Sequence, residues 1–275
     1  MVESPVTRFG SIVGAVMVFV SVLAVGEVTA AARTAGGIVP PRNPPKSIPA
    51  VPDFESSPKC SYGAPNSSTG CEQLVLQAIA HARRKEDLGA MRFRLAAFRK
   101  LSAAEQLFVS ANLERVSRGL APVEGLTRQL DAFALAAARA GEDPSLPYVP
   151  YRLQGGGTVY AYGSNWAGGS SNVLGSDYGW MYDDGPGGFN FECTPTDHSG
   201  CWGHRDNILS DGLGKWAWAD PSACGGEGDH FVMGAASTTS KTGWKPSQTE
   251  LFVLDCGAAP QEYFTWALAR RLLGI

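Results

Sequence analysis

What this chain lacks narrows its chemistry first. No two of its cysteines form a C-x-x-C pair, which argues against a zinc cluster as the use of its thiols. The net charge is only −3, so nothing draws the whole chain toward nucleic acid or an anionic membrane. No internal repeat is present, which sets aside solenoid and propeller architectures. No cysteine directly follows the N-terminal apolar run, the first being Cys60, which argues against lipoprotein attachment. Helix-to-strand alternation of the βαβ kind is also missing, so a doubly wound sheet is not expected.

What is present begins with that apolar run. Arg8 gives a weakly positive start, Ile12 to Val25 carries no charge, and Val28-Thr29-Ala30 offers small residues at a cleavage site. This is the pattern of a secretory signal over residues 1–30. The alternative is an uncleaved anchor, but the run ends at Glu27 and falls short of the roughly 20 residues a spanning helix needs. Membrane contact is therefore expected only through the signal segment before cleavage, and localisation is secreted or extracytoplasmic, with retention at the cell surface left open. Six cysteines follow: Cys60, Cys71, Cys193, Cys201, Cys224 and Cys256. In an exported chain an even count reads as disulfides. Pairing neighbours in order (60–71, 193–201, 224–256) closes the smallest loops.

Residues 31–59 read as a proline-rich, disordered linker, because seven prolines fall between Pro40 and Pro58 and favour extended backbone over packing. A disulfide loop and helical extension is expected over 60–101, with apolar residues at Leu74, Val75, Ala78, Ile79 and Ala82 marking a helix face. Ser102-Ala-Ala-Glu105 is a capping box that opens a second helix, which Gly119 stops. A third helix runs from near Thr127 to Gly141. Residues 155–202 then hold twelve glycines and nine aromatics, which predicts no regular helix beyond a short turn over Ser176 to Tyr182. Gly203 to Leu209 reads as a short helix, while Phe231 to Ala236 and Glu250 to Asp255 read as strands. A C-terminal amphipathic helix is expected within 258–275. Helices first and strands late give an α+β fold class.

Two of these stretches carry a resemblance. Ala111-Asn112-Leu113-Glu114-Arg115 followed by Gly119-Leu120-Ala121-Pro122, together with Gly203-His204-Arg205-Asp206-Asn207-Ile208-Leu209, resembles bacterial domains of the CAP superfamily. These are relatives of cysteine-rich secretory proteins, antigen five and pathogenesis-related proteins. The resemblance covers about 102–257, and the seven-residue block is its specific part. It implies a three-layer α–β–α sandwich, here with a Gly/aromatic-rich insertion and an N-terminal extra helix, and a cleft lined by two histidines and two acids. Carried over, His204 matches the second histidine. The segment Gly163-Ser164-Asn165-Trp166-Ala167 falls where the family has Gly-Glu-Asn-Ile-Ala, so Ser164 stands at the glutamate. No histidine lies between Ala138 and Gly163, where the first is expected. Asp183 or Asp184 is the candidate for the second acid.

The candidate cleft residues are thus His204, Ser164, Asn165, Asp184 and His198. His204, His198 and Asp184 could be written as a metal set, but a single family histidine is a poor zinc site and no metal is expected. Ser164, His204 and Asp184 could be written as a triad, yet Gly-x-Ser-x-Gly is absent around Ser164, and no catalytic residue is assigned. His204 is read as a lone neutral imidazole whose partners are gone, shaping the cleft more than breaking bonds. The aromatics of 155–202 mostly fill core, leaving two or three rings for a ligand. The expectation is an exported, ligand-binding or partner-binding module for lipid, glycan or protein. It has no cofactor, no nucleic-acid partner and no catalysis of its own; the alternative is a cleft hydrolase using His204.

Overall fold

The computed structural model describes residues 42–275, except 55, 58–59, 62, 149, 210–223 and 225–227. The expected signal segment and the start of the proline-rich stretch lie outside the described residues. Among the described residues no helix is long and apolar enough to cross a membrane.

A two-residue hairpin comes first, β1 (Ser56–Ser57) against β2 (Cys60–Ser61). Helix α1 (Thr69–Lys85) starts where the Ser68 side chain accepts from the Cys71 N–H, and it buries Val75, Ala78, Ile79 and Ala82. That spacing is one face of a helix. After a single turn, α2 (Leu95–Phe98), comes α3 (Ala103–Ser117), opened by the Ser102/Glu105 capping box with both reciprocal hydrogen bonds made. Strand β3 (Gly125–Thr127) leads into α4 (Arg128–Ala140), which ends on left-handed Gly141 (φ 84°).

The other elements are β4 (Thr158–Gly168), α5 (Val173–Tyr182), α6 (Gly203–Leu209), β5 (Asp229–Thr238), β6 (Ser247–Cys256), β7 (Glu262–Thr265) and α7 (Trp266–Leu273). Five strands form one mixed sheet in the order β4-β6-β5-β3-β7, with β3 parallel to β5 and its other neighbours antiparallel. The α+β expectation holds at this level. The C-terminal segment differs from the expected continuous helix: β7 pairs with β3 before α7 begins.

Period-two alternation assigns the sheet's faces. Phe231, Met233, Phe252 and Leu254 belong to a core shared with α1, α3 and α5. Val232, Leu251 and Val253 pack with Leu130 of α4 on the other side. Gly234 permits the closest approach of α4, since a Cβ there would sit 2.2 Å from the Leu130 carbonyl carbon. Three disulfides join Cys60–Cys71, Cys193–Cys201 and Cys224–Cys256, the neighbour pairing. They fit folding in an oxidising compartment.

The proline-rich stretch departs from expectation. Within 42–54 it is not a free linker. Ile48 and Phe54 are buried, the Ile48 N–H donates to the Tyr182 carbonyl at 2.8 Å, and the Tyr178 hydroxyl donates back to the Ile48 carbonyl at 2.5 Å. Phe54 meets the Tyr178 ring edge-on at 5.1 Å. Two apolar anchors outweigh the extended bias of the prolines, because each removes a large side chain from water. Phe54→Ala should therefore cost about 3 kcal/mol in denaturant unfolding. Exposed Val51→Ala should change stability by less than about 0.5 kcal/mol. Equal, negligible effects of the two would show that the segment does not anchor.

Candidate functional site

Strand β4 is a sheet edge, and an uncovered edge must satisfy its outward N–H and C=O groups. Here side chains do so. Asn207 of α6 donates to the Ser164 carbonyl at 2.7 Å, and the Trp180 indole N–H donates to the Trp166 carbonyl at 3.1 Å. Asp143 accepts a hydrogen bond from the Trp166 backbone. A cavity of ≈370 Å³ opens along this edge. Its polar lining includes Asp143, Asp183, Asp184, Glu192 and His204, and its rings are Trp166, Trp180, Phe189, Phe191 and Trp244.

Asp184 organises the site. It follows α5, nineteen residues before α6 begins, yet its carboxylate reaches the first turn of that helix. Oδ2 accepts from the backbone N–H groups of His204 (3.0 Å) and Arg205 (3.3 Å), as a capping carboxylate does. Oδ1 lies 2.6 Å from His204 Nδ1 and accepts from Asn190 Nδ2 at 2.7 Å. The Asp184 carbonyl accepts from the Trp202 N–H at 3.0 Å. Trp202 turns the chain into α6 in the left-handed region (φ 66°). Gly185 leaves room for its indole, which a Cβ would meet at 2.1 Å. The acceptor at Nδ1 fixes a proton there and leaves Nε2 as the variable position.

His204 is consequently not a lone imidazole. Burial alone would lower its pKa, but the Asp184 charge and hydrogen bond raise it above the ordinary 6.5. Burial raises Asp184 as well, against the opposing pull of His204 and two backbone N–H groups. The pair as a whole therefore holds a proton to higher pH than free imidazole would. Asp183 is pushed up to about 7, mainly by burial, with Asp184 and Asp53 adding to it and hydrogen bonds from Phe189 and Ser47 opposing. Asp143 sits on the rim, crowded by protein. This desolvation raises its pKa against the pull of His204, and Glu192 adds to the rise.

The other expected cleft residues fall elsewhere. Ser164 lies outside the cavity lining; alternation along β4 puts its side chain on the α4 face, in register with Leu251, and its carbonyl is taken by Asn207. Asn165 is fully buried and is structural. Its Nδ2 donates to the His204 carbonyl (3.1 Å) and Glu250 (3.3 Å), and its Oδ1 accepts from Asn207 (3.0 Å). His198 is exposed on the insertion loop and outside the cavity lining. Among the described residues no group of three His, Cys, Asp or Glu is placed to hold a metal ion. Sequence reasoning missed Asp143, although it lies in the interval searched for a histidine. It also missed Glu192 and the rings Phe189, Phe191 and Trp244. The available signal was charge: from Glu142 to His230 the sequence holds twelve acidic residues against three lysines and arginines.

A buried ionic layer ties α6, α5 and α3 to the end of α1. Arg205 forks onto Glu86 at 3.0 and 2.8 Å and donates to the Met181 carbonyl at 2.7 Å. Glu114 accepts from Arg83 at 2.6 Å and from Tyr182 at 2.7 Å, and also pairs with Arg118. Burial raises the carboxyls of Asp177 and Glu250 well above their usual range. Compared with family models, with curated proteins and with solved structures, the chain finds no match in any of the three.

The titrating groups give stability a definite pH dependence. Asp177, Asp183, Glu250 and His204 all have raised pKa values in the fold. Each contributes stability that is complete below its unfolded pKa and lost as pH rises through the folded one. Glu86 runs the other way. Burial works against it, but Arg205 and Arg118 hold it below its ordinary 4.5, so its contribution is present above 4.5 and lost as pH falls through the lowered value. The melting temperature should therefore be highest near or just below 4.5 and decline as pH rises toward and past about 7. A melting temperature that rises from mildly acidic to mildly alkaline buffer would contradict these assignments.

Proposed function

We propose that this chain is an exported CAP-type module, an α–β–α sandwich that binds a small ligand in the β4-edge cleft without breaking bonds in it. The Gly203–Leu209 block, the helices packed on both faces of the sheet and the three disulfides support that reading. One observation carries it: the cavity is furnished with partly exposed rings and carboxylates, while its hydroxyls are already engaged. Phe191 is 82% exposed, Phe189 60% and Trp244 41%, an apolar surface that costs solvation unless something covers it. Ser170 and Ser176, the serines of the lining, bond each other at 2.6 Å, and both bond Gln248. Neither is paired with His204, so an activated-serine arrangement is not assembled.

A second reading is favoured by the Asp184–His204 pair itself. A carboxylate 2.6 Å from Nδ1 orients an imidazole as a general base, and Nε2 could take a proton from a water. The two readings separate in one experiment. Ligand-observed NMR with aromatic and aliphatic fragments, oligosaccharides and short peptides should show fragment binding that is lost in Trp244→Leu and kept in His204→Gln. Ester, peptide and glycan substrates should show no turnover. Turnover by the wild type that His204→Gln abolishes would promote the hydrolase. Absence of any binding would overturn the ligand-binding reading.

A further inference from the structure

The cleft has a strong sign as well as a shape. Among the described residues its lining contains four carboxyl groups, Asp143, Asp183, Asp184 and Glu192, and neither lysine nor arginine. The imidazole of His204 is the one base among them, and it is spent on Asp184. The second cavity of the same body, ≈760 Å³, is lined instead by Arg42, Lys46, Lys85 and Arg118, so acidity is a property of this cleft and not of the surface in general.

Acidic residues alone do not make a site, but one of these is left incomplete. Asp183 is 9% exposed and lines the cavity; its side chain accepts from Ser47 and the Phe189 backbone, but its Oδ2 has no hydrogen-bond partner among the described residues. A buried carboxylate oxygen without a donor is costly unless a ligand supplies the missing positive charge or proton. The walls add a second requirement. The Trp166 and Trp244 rings meet at 73° with centroids 6.3 Å apart, and Phe189 and Phe191 stand at the rim. Ring faces attract cations, and two rings at a steep angle present faces to one volume. A compact primary ammonium or a divalent metal ion would have to shed strongly held water to sit among indoles. A trialkylammonium group is weakly hydrated, carries its charge on methyl groups and gains from both the rings and the carboxylates.

Resting on the ligand-binding reading above, we propose that the β4-edge cleft recognises a trialkylammonium group, with Asp183 and Glu192 supplying counter-charge and Trp166 and Trp244 the aromatic walls. The same headgroup chemistry occurs free and on a choline lipid, and the test separates these sources.

Calorimetry on the full chain, buffered above the Asp183 titration, would compare choline with 3,3-dimethylbutan-1-ol, the neutral compound of the same shape. Choline should bind at least about tenfold more tightly, the gain a desolvated cation–ring site gives. Asp183→Asn should erase that preference while leaving the alcohol's affinity unchanged. Because Asp183 is buried, exposed Trp244→Leu serves as a second variant and should weaken choline even if the first fails to fold. A short-chain phosphatidylcholine below its micellar concentration that binds more tightly than choline assigns the site to a lipid headgroup; one that binds more weakly assigns it to a free ligand. Equal affinity for choline and the alcohol, or binding of calcium or zinc that excludes choline, would overturn the cation inference and leave the cleft as an apolar or metal site. No heat with choline while aromatic fragments still bind would overturn it too. Failure of every fragment would remove the underlying reading as well.

Discussion

The Asp184 carboxylate is the contact on which the cleft depends. Two backbone N–H groups, an imidazole and a side-chain amide converge on its two oxygens. It thereby joins the end of α5 to the start of α6 across the whole 185–202 loop. Such charge-assisted bonds are stronger than neutral ones, and more so when buried. Both ends of that loop are therefore pinned. Phe189, Phe191 and Glu192 reach the cavity because the loop that carries them leaves and returns at one carboxylate. The Cys193–Cys201 disulfide closes the same loop at its outer end.

The polar residues of the two signature stretches mostly build the frame. Asn112 exchanges hydrogen bonds with the Val123 backbone at 3.2 and 2.7 Å. Arg115 donates to the Ile208 and Leu209 carbonyls at 2.7 Å, meeting the free carbonyls at the end of α6 with a cation. Arg205 is fully buried on Glu86. Removing one partner from such a pair leaves an unpaired buried charge, which costs far more than the pair contributes. Folding alone therefore accounts for Asn112, Arg115 and Arg205. Within the Gly203–Leu209 block, only His204 faces the cavity.

The parts of the fold legible in the sequence were those set by local chemistry. Ser102 and Glu105 fixed the start of α3, Thr127 and Gly141 bounded α4, and the neighbour pairing of cysteines followed from loop length. Strand β4 was not legible. Its glycines and the register shift between Val159 and Ala161 hide the alternation, and it is held as a strand by ten register partners in β6. Helix α5 was read as one turn because Gly175 and Gly179 lie within it. The Asn172 cap and nearly complete burial stabilise it where propensity does not. For the site, His204 and Asp184 were legible as residue types with the right chemistry, but their contact was not, since twenty residues separate them. Ser164 and Asn165 were carried over by position, and position along a strand does not say which side chains reach a cavity: neither of them lines it, whereas Trp166 does.

The account stands on His204 being held and charged by Asp184. The most direct measurement is the imidazole itself, followed through pH by nitrogen-15 NMR. The account predicts that His204 titrates above the ordinary 6.5, keeps its proton on Nδ1 when neutral, and drops toward or below that value in Asp184→Asn. A wild-type His204 that titrates at or below 6.5, unmoved by that substitution, would contradict it.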